Sequence, residues 1–78
     1  MSLLSYKAIF ENAFQYDEGV EQLEYQSIPA WDSVGHMQLI AALEEAFNIE
    51  MDVDDIIDFS SYSKGIELLT KYGVDLSD

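Results

Sequence analysis

Hydrophobic positions along this chain recur at helical spacing and predict four helices, with no convincing strand between them. In the first stretch, Leu3, Tyr6 and Phe10 are separated by three and then four residues. This spacing predicts an amphipathic helix over residues 3 to about 15. The two acids and the glycine at 17–19 end it.

A second, longer helix is predicted over residues 33 to 47. Asp32 is a favourable N-cap residue, although Gly35 stands where the glutamate or glutamine of a capping box would be. Asn48 is a typical C-terminal stop. The stripe expected to face the core consists of His36, Leu39, Ile40, Leu43 and Phe47. A mixed stripe on another face consists of Val34, Met37, Ala41, Glu44, Glu45 and Asn48.

Residues 17–31 form a long connection between these two helices. A free loop of this length is unusual in a compact domain, so its apolar residues are expected to hold it to the core. Pro29 excludes helix at the preceding residue. Trp31 is expected to cover the first turn of the second helix. The expected anchors are Val20, Leu23, Tyr25 and Ile28.

The remaining two helices are shorter. The third is predicted over residues 54–59 and is capped by Asp52 or Asp54. The fourth begins at Ser61 or Ser63, because either hydroxyl can accept a hydrogen bond from the first turn.

Gly73 ends the fourth helix, and the tail from Val74 to Asp78 is expected to fray. The chain of 78 residues is one small domain, 1–78, in which residues 1–3 resemble a cloning scar. Apolar residues make up 49%, which is enough for a core and excludes a disordered chain. The sequence lacks cysteine, a signal peptide and an apolar run of the roughly 20 residues that span a bilayer. We therefore expect a cytoplasmic monomer that does not enter membranes.

Acidic residues dominate the charge: 16 Asp and Glu stand against 3 Lys, and the net charge is -13. No lysine or arginine lies between Lys7 and Lys64. Such a surface repels nucleic acid and anionic membranes and attracts proteins with a basic patch, although solubility is another purpose of acidity. The acids are densest at 52–58, where their repulsion predicts that mild acidification stabilises the fold.

Catalytic and metal-binding patterns find little support in the sequence. His36 lies three residues from Ser33, but a hydrolase also needs an orienting acid, an oxyanion hole and a pocket, so a packed or capping histidine is favoured. Counted from Asp52, Ile56 and Ile57 occupy calcium-loop positions that require an acid and a glycine. The four glycines are too dispersed for a phosphate-binding loop. We expect no catalytic residue and no metal site.

The mixed stripe and the serine at the helix start each admit two interpretations. Val34 and Met37 are either the edge of a wide apolar face or the centre of a docking surface that ends in two glutamates. Ser33 is either a simple helix-start residue or the attachment point of a phosphate-linked group, because a helix N-terminus favours an anion. The adjacent Asp32, the mixed stripe and the acidity of the chain favour attachment.

Acyl carrier proteins have a phosphopantetheine attachment motif and a second helix that resemble the segment Asp32-Ser33-Val34-Gly35-His36-Met37 followed by Leu39-Ile40-Ala41-Ala42-Leu43-Glu44-Glu45-Ala46-Phe47. The likeness includes the apolar spacing, the paired glutamates and the acidic third helix. It extends from the first helix to Leu69. The Trp-Asp-Ser form is similar to stand-alone bacterial carriers more than to the carrier of fatty-acid synthesis.

The resemblance implies an all-α fold: a small four-helix bundle with a short third helix. It implies that Ser33, beside Asp32, bears 4′-phosphopantetheine taken from coenzyme A by a phosphopantetheinyl transferase with magnesium. The chain would be a non-catalytic carrier of a thioester-linked acyl or aminoacyl group. Its other partners would be an activating ligase and an acyltransferase or synthase. The family's partner surface maps onto Asp32, Val34, Met37, Glu44, Glu45, Asp52, Asp54 and Asp55.

One departure and one alternative qualify this hypothesis. Gln38 occupies a position where carriers of fatty-acid synthesis often have glutamate, so the partner enzymes are expected to differ. The alternative is an acidic helical adaptor that binds a basic protein through the same stripe, with Ser33 only a cap. Fatty acyl, aminoacyl and sugar-modifying acyl groups all fit the carrier hypothesis.

Overall fold

Four α-helices make up the domain in the computed structural model, which describes residues 3–76. No strand is present in this range; an isolated antiparallel bridge joins Glu24 to Ser61. The all-α prediction is therefore confirmed. The helices are α1 (Leu3–Phe14), α2 (Ser33–Phe47), α3 (Val53–Asp58) and α4 (Tyr62–Lys71), and a short 3-10 turn covers Val20–Gln22.

An aromatic cluster forms the centre of the core. Tyr6, Phe10 and Phe14 follow one another at intervals of four on the buried face of α1, which packs against α2. The Phe10 ring contacts Trp31 edge-on with centroids 5.6 Å apart, and it lies stacked on Phe59 at 6.1 Å. These rings join α1 to the segments that precede α2 and α4.

The ends of α2 match the sequence prediction. Asp32 is its N-cap, and Asn48 adopts the left-handed conformation at φ 56° that often terminates a helix. Its predicted core stripe is buried along its whole length, including Leu43, which is fully enclosed. Hydrophobic burial along this stripe fixes the rotation of α2 about its axis and so decides which residues face solvent.

The long connection is held to the core by backbone pairing as well as by side chains. Val20 and Leu23 are buried, as expected. The Tyr62 N–H donates to the Leu23 carbonyl at 3.0 Å, and the Tyr25 N–H donates to the Ser60 carbonyl at 2.8 Å. This pairing was not predicted, because it joins segments nearly forty residues apart. Tyr25 remains partly exposed, and Ile28 is half-buried against the core.

Ser61 is the N-cap of α4, and its Oγ accepts a hydrogen bond from the Lys64 N–H at 2.9 Å. Gly65 lies where a Cβ would overlap the Phe59 ring and the Tyr6 hydroxyl, so a side chain there would separate α4 from the aromatic core. The chain leaves the helix through Gly73 at φ 84°.

The expectation of a frayed tail is corrected for its first residues. Val74 and Leu76 are both buried and belong to the hydrophobic core. Burial of these two apolar side chains favours packing of the segment after α4 against the core, although the residues beside them are polar. Residues 77 and 78 lie outside the described part of the chain, as do residues 1 and 2.

Candidate functional site

The side chain of Asp32 caps the start of α2. The Asp32 Oδ1 atom accepts a hydrogen bond from the Gly35 N–H at 2.8 Å, and the Asp32 carbonyl accepts one from the His36 N–H at 2.7 Å. The Asp32 side chain therefore satisfies one N–H group that a helix start otherwise leaves free, and the Asp32 carbonyl accepts the first regular hydrogen bond of the helix. Ser33 is the first residue of the helix and is exposed to solvent.

Gly35 allows the preceding loop to fold closely over this helix start. A Cβ on Gly35 would overlap the Ala30 carbonyl oxygen. The absence of a side chain thus lets the backbone at Ala30 approach the first turn. The same close approach explains why glycine, and not the glutamate of a capping box, occupies this position.

Trp31 and His36 hold the two sides of this turn together inside the core. The Trp31 indole Nε1–H donates to His36 Nδ1 at 2.9 Å, and the two rings are stacked with an interplanar angle of 15°. The second ring nitrogen, His36 Nε2, lies 2.8 Å from the Ile56 carbonyl oxygen in α3. The imidazole is buried, and both of its nitrogens are engaged.

These hydrogen bonds answer the question of whether His36 serves as a general base for Ser33. A base needs a ring nitrogen that can accept the hydroxyl proton. The indole occupies Nδ1, and the α3 carbonyl requires a proton on Nε2. The packed histidine favoured from the sequence is therefore what the structure contains.

A cavity of about 300 Å³ opens beside Ser33, between the start of α2, the helix α3 with the segment that follows it, and Tyr25 of the long connection. Apolar side chains provide most of its wall. A pocket of this kind can enclose apolar groups attached near its mouth. Its lining residues are Tyr25, Ser33, His36, Met37, Ile56, Ile57, Phe59 and Ser60.

Four apolar side chains of α2 and α3 are exposed. Val34 and Met37 retain 65% and 51% of their surface, so they are not part of the core. Val53 and Ile57, four residues apart on α3, retain 70% and 75%. No role was predicted for Val53 and Ile57 from the sequence; their spacing within an acidic run was the available signal. We call these four residues the apolar patch.

The paired glutamates at the end of α2 have different surroundings. Glu45 is exposed, as expected for an acid that meets a partner. Glu44 is half-buried, and its Oε2 accepts a hydrogen bond from the Met51 N–H at 2.9 Å. Glu44 therefore also fixes the turn between α2 and α3, and the expectation that both acids simply face solvent is corrected.

The neighbouring acids Asp54 and Asp55 of α3 also differ in their surroundings. Asp54 is exposed, whereas Asp55 is buried and its carboxylate accepts hydrogen bonds from Lys71 Nζ at 2.7 Å and from the Tyr72 hydroxyl. The bonds from Lys71, and then Tyr72, hold the pKa of Asp55 below its ordinary value. Asp55 thus joins α3 to the end of α4, and its assignment to an exposed partner surface is corrected.

Asp52 and Asp58 complete the acidic run. Asp58 forms an exposed ion pair with Lys64 at 3.4 Å, and the Asp52 N–H donates to the Tyr72 hydroxyl at 2.8 Å. Among residues 3–76, no three histidine, cysteine or acidic side chains are grouped so that they could hold a metal ion. The run is therefore divided between ion pairs and solvent instead of forming one cluster.

Comparison with protein families gives a match at this site. A family model described as the phosphopantetheine attachment site matches residues 31–69, half of the chain. The match begins at Trp31 and includes Ser33, α2, α3 and most of α4. The chain belongs to this phosphopantetheine-attachment family, in keeping with its resemblance to acyl carrier proteins. Searches of curated proteins and of solved structures found no match.

Family membership gives the domain a general role. It is a carrier domain with a covalently attached 4′-phosphopantetheine prosthetic group. Domains of this family interact with a phosphopantetheinyl transferase and with acyl-handling enzymes, and they are typically not catalysts themselves. Within the described residues, no helix is both long and apolar enough to cross a membrane.

Proposed function

We propose that the chain bears 4′-phosphopantetheine on Ser33 and carries an acyl or aminoacyl group as a thioester between partner enzymes. The observation that carries this proposal is the position of Ser33: it is the exposed first residue of α2, inside the segment that matches the attachment family. The bound group supplies a thiol, which this chain lacks because it has no cysteine.

The residues around Ser33 fit such a group. Free N–H groups and the positive end of the α2 dipole favour a phosphodiester next to the helix start. Trp31 and Gly35 are buried on the core side of this turn, whereas Ser33 is exposed to solvent. The apolar cavity beside Ser33 provides space in which part of the arm or its cargo is protected from water.

Catalysis is assigned to the partner enzymes. His36, the single histidine, is buried with both nitrogens hydrogen-bonded, and so it is not available to activate the serine. A transferase must therefore bring the base and the metal ion that help Ser33 Oγ to attack the phosphorus next to pantetheine in coenzyme A. The new Oγ–P bond replaces the diphosphate P–O bond, and adenosine 3′,5′-bisphosphate leaves. Later loading and release would belong to an activating ligase and an acyltransferase or synthase.

The proposed docking surface combines the apolar patch with the exposed acids beside it. Val34 and Met37 flank Ser33 on α2, and Glu45 and Asp54 supply negative charge on α2 and α3. Apolar groups bordered by charge suit enzymes that present a basic rim around an apolar contact. Glu44 can add to the local field, but Asp55 is excluded because it is buried. We propose that the chain acts as a cytoplasmic monomer.

Intact-mass measurement tests the proposal. Incubation with coenzyme A, magnesium and a broad-specificity phosphopantetheinyl transferase should add one phosphopantetheine to the parent and none to Ser33→Ala. Subsequent incubation with candidate ligases and different acids identifies the group that is loaded. A parent that stays unmodified with several transferases would instead favour the acidic adaptor, with Ser33 only a helix-start residue.

A further inference from the structure

One imidazole joins three segments that surround Ser33. His36 lies on the first turn of α2, accepts a hydrogen bond from Trp31 in the preceding connection and meets the Ile56 carbonyl in α3. Its ring also contacts Tyr25 and Phe59 edge-on, with centroids 5.2 and 6.0 Å away. Those two side chains, with His36 itself, form part of the cavity beside Ser33.

Both hydrogen bonds depend on one protonation state of the ring. An indole nitrogen donates and cannot accept, so His36 Nδ1 must be without a proton. The Ile56 carbonyl only accepts, so Nε2 must carry one. The neutral Nε2–H tautomer alone satisfies both partners, and an imidazolium or an Nδ1–H ring would set two N–H groups against each other at Trp31.

Helix α3 has one partly buried apolar side chain, that of Ile56, which packs against the core. It has six residues, and its other two apolar side chains, Val53 and Ile57, are largely exposed. Its acids Asp55 and Asp58 attach it to α4 through Lys71 and Lys64. The bond from His36 instead attaches α3 to α2, the helix that carries Ser33.

We infer that His36 is a positioning residue: through Trp31 and the Ile56 carbonyl it sets the placement of α3 relative to Ser33. It thereby determines the shape of the cavity and the distance between the two halves of the apolar patch, one on α2 and one on α3. The inference rests on the proposed function in one respect: its expected consequence is a change in how the transferase recognises the carrier. His36 does not touch the reacting atoms.

Nitrogen NMR of the His36 ring in the intact parent tests the geometry directly. At neutral pH we expect a protonated Nε2, an unprotonated Nδ1 and an indole N–H of Trp31 that is protected from exchange. In Trp31→Phe, which keeps an aromatic ring but removes the indole donor, the signal of Nδ1 should move. An Nδ1–H tautomer in the parent would overturn the inference.

Three variants separate positioning from general stability. His36→Phe keeps a ring but loses both hydrogen bonds, whereas His36→Gln retains an amide N–H that can donate to Ile56. Tyr6→Phe is the matched control, because it removes a buried hydrogen bond of 2.7 Å to the Tyr62 carbonyl and Tyr6 does not itself line the cavity. Amide shifts across α3 and the KM and kcat for modification are measured for each.

We expect His36→Phe to shift the amides of Val53–Asp58 and to raise the KM for the carrier severalfold, with kcat little changed. His36→Gln should recover most of the parental KM, and Tyr6→Phe should lower the melting temperature while leaving KM and the α3 shifts unchanged. Equal effects of His36→Phe and Tyr6→Phe on KM would overturn the inference. If the parent itself is not modified, the proposed function fails, and the ring tautomer with the α3 shifts still decides whether His36 positions α3.

Discussion

The carboxylate of Asp55 and the ammonium of Lys71 are 2.7 Å apart, and this contact holds α3 against the C-terminal end of α4. The Tyr72 hydroxyl donates to the second carboxylate oxygen, so a buried acid is bonded through both oxygens. A charged acceptor shared between two donors is among the stronger polar contacts in proteins. Since α3 forms one side of the cavity beside Ser33, this contact also supports the candidate site.

Acidification should weaken the fold through Asp55. Its pKa is lowered from the ordinary 3.8 by Lys71 and then Tyr72. The folded state therefore binds this proton less readily than the unfolded state, so the stabilisation is complete above the ordinary pKa and is lost as the pH falls through the lowered one. We expect the melting temperature of the parent to fall below about pH 4 more steeply than that of Asp55→Asn. Parallel curves would contradict this role.

The expectation that mild acid stabilises the fold through a crowded acidic run stays a prediction, but the structure removes Asp55 from that run. Asp55 turns inward to Lys71 and Tyr72, and Asp58 pairs with Lys64, so neighbours in sequence are not neighbours in one charge cluster. The partners lie on α4 and are brought to α3 only by the fold. Sequence spacing within a six-residue helix could not reveal them.

Substitution of Leu43 and of Met37 by alanine should distinguish a core residue from a surface residue. Leu43 is fully buried, so Leu43→Ala should cost roughly 2–5 kcal/mol through lost burial and a cavity. A small domain has about 5 kcal/mol of stability at the lower end of the usual range, and the variant should melt far lower or fail to fold. Met37→Ala should melt close to the parent but be modified more slowly, because its side chain is half exposed beside Ser33. Thermal melts and transferase rates measure both; equal destabilisation would place Met37 in the core.

Charge reversal should identify the docking surface. Glu45→Lys combined with Asp54→Lys should slow modification at low salt without a large change in melting temperature, because both acids are exposed. Salt should reduce the effect, since the screening length is about 8 Å at physiological ionic strength. Glu44 is left intact because it binds the Met51 N–H.

The matched control for that experiment is Glu67→Lys, an exposed reversal on α4. Rates for the single reversals Glu45→Lys and Glu67→Lys are compared with each other, because each changes the net charge by the same amount. Slowing of the same size in both variants would mean that the transferase senses net charge and not a particular surface of α2.

Gly35→Ala should disturb the helix start. The new methyl group would overlap the Ala30 carbonyl, and relief requires the loop to move away from α2. Overpacking of this kind typically costs about 1–3 kcal/mol, and here it should also reduce modification of the neighbouring serine. Ala46→Ser, an exposed change near the other end of the same helix, should leave both properties nearly unchanged. Crystallography or backbone NMR would locate the shift, and an unmoved loop would disprove the close approach.

Much of the fold could be predicted from local sequence patterns. The helical period located α1 and α2, and residues such as Asp32 and Asn48 marked the ends of α2, because caps depend on neighbours in the chain. Contacts between distant segments could not be predicted in this way. The approach of Gly35 to Ala30 and the hydrogen bond from His36 to Ile56 both require the folded chain. The exposed Val53 and Ile57 were missed because α3 is too short to establish a period.

Mass mapping of the modified residue tests the central claim most directly. After treatment with transferase and coenzyme A, cleavage before Asp32 and Asp52 releases peptide 32–51, in which Ser33 is the single serine. Cleavage before Asp58 and Asp75 releases peptide 58–74, which holds Ser60, Ser61 and Ser63. We predict that peptide 32–51 carries one phosphopantetheine and peptide 58–74 none. Phosphopantetheine on peptide 58–74, or on neither peptide, would contradict attachment at Ser33.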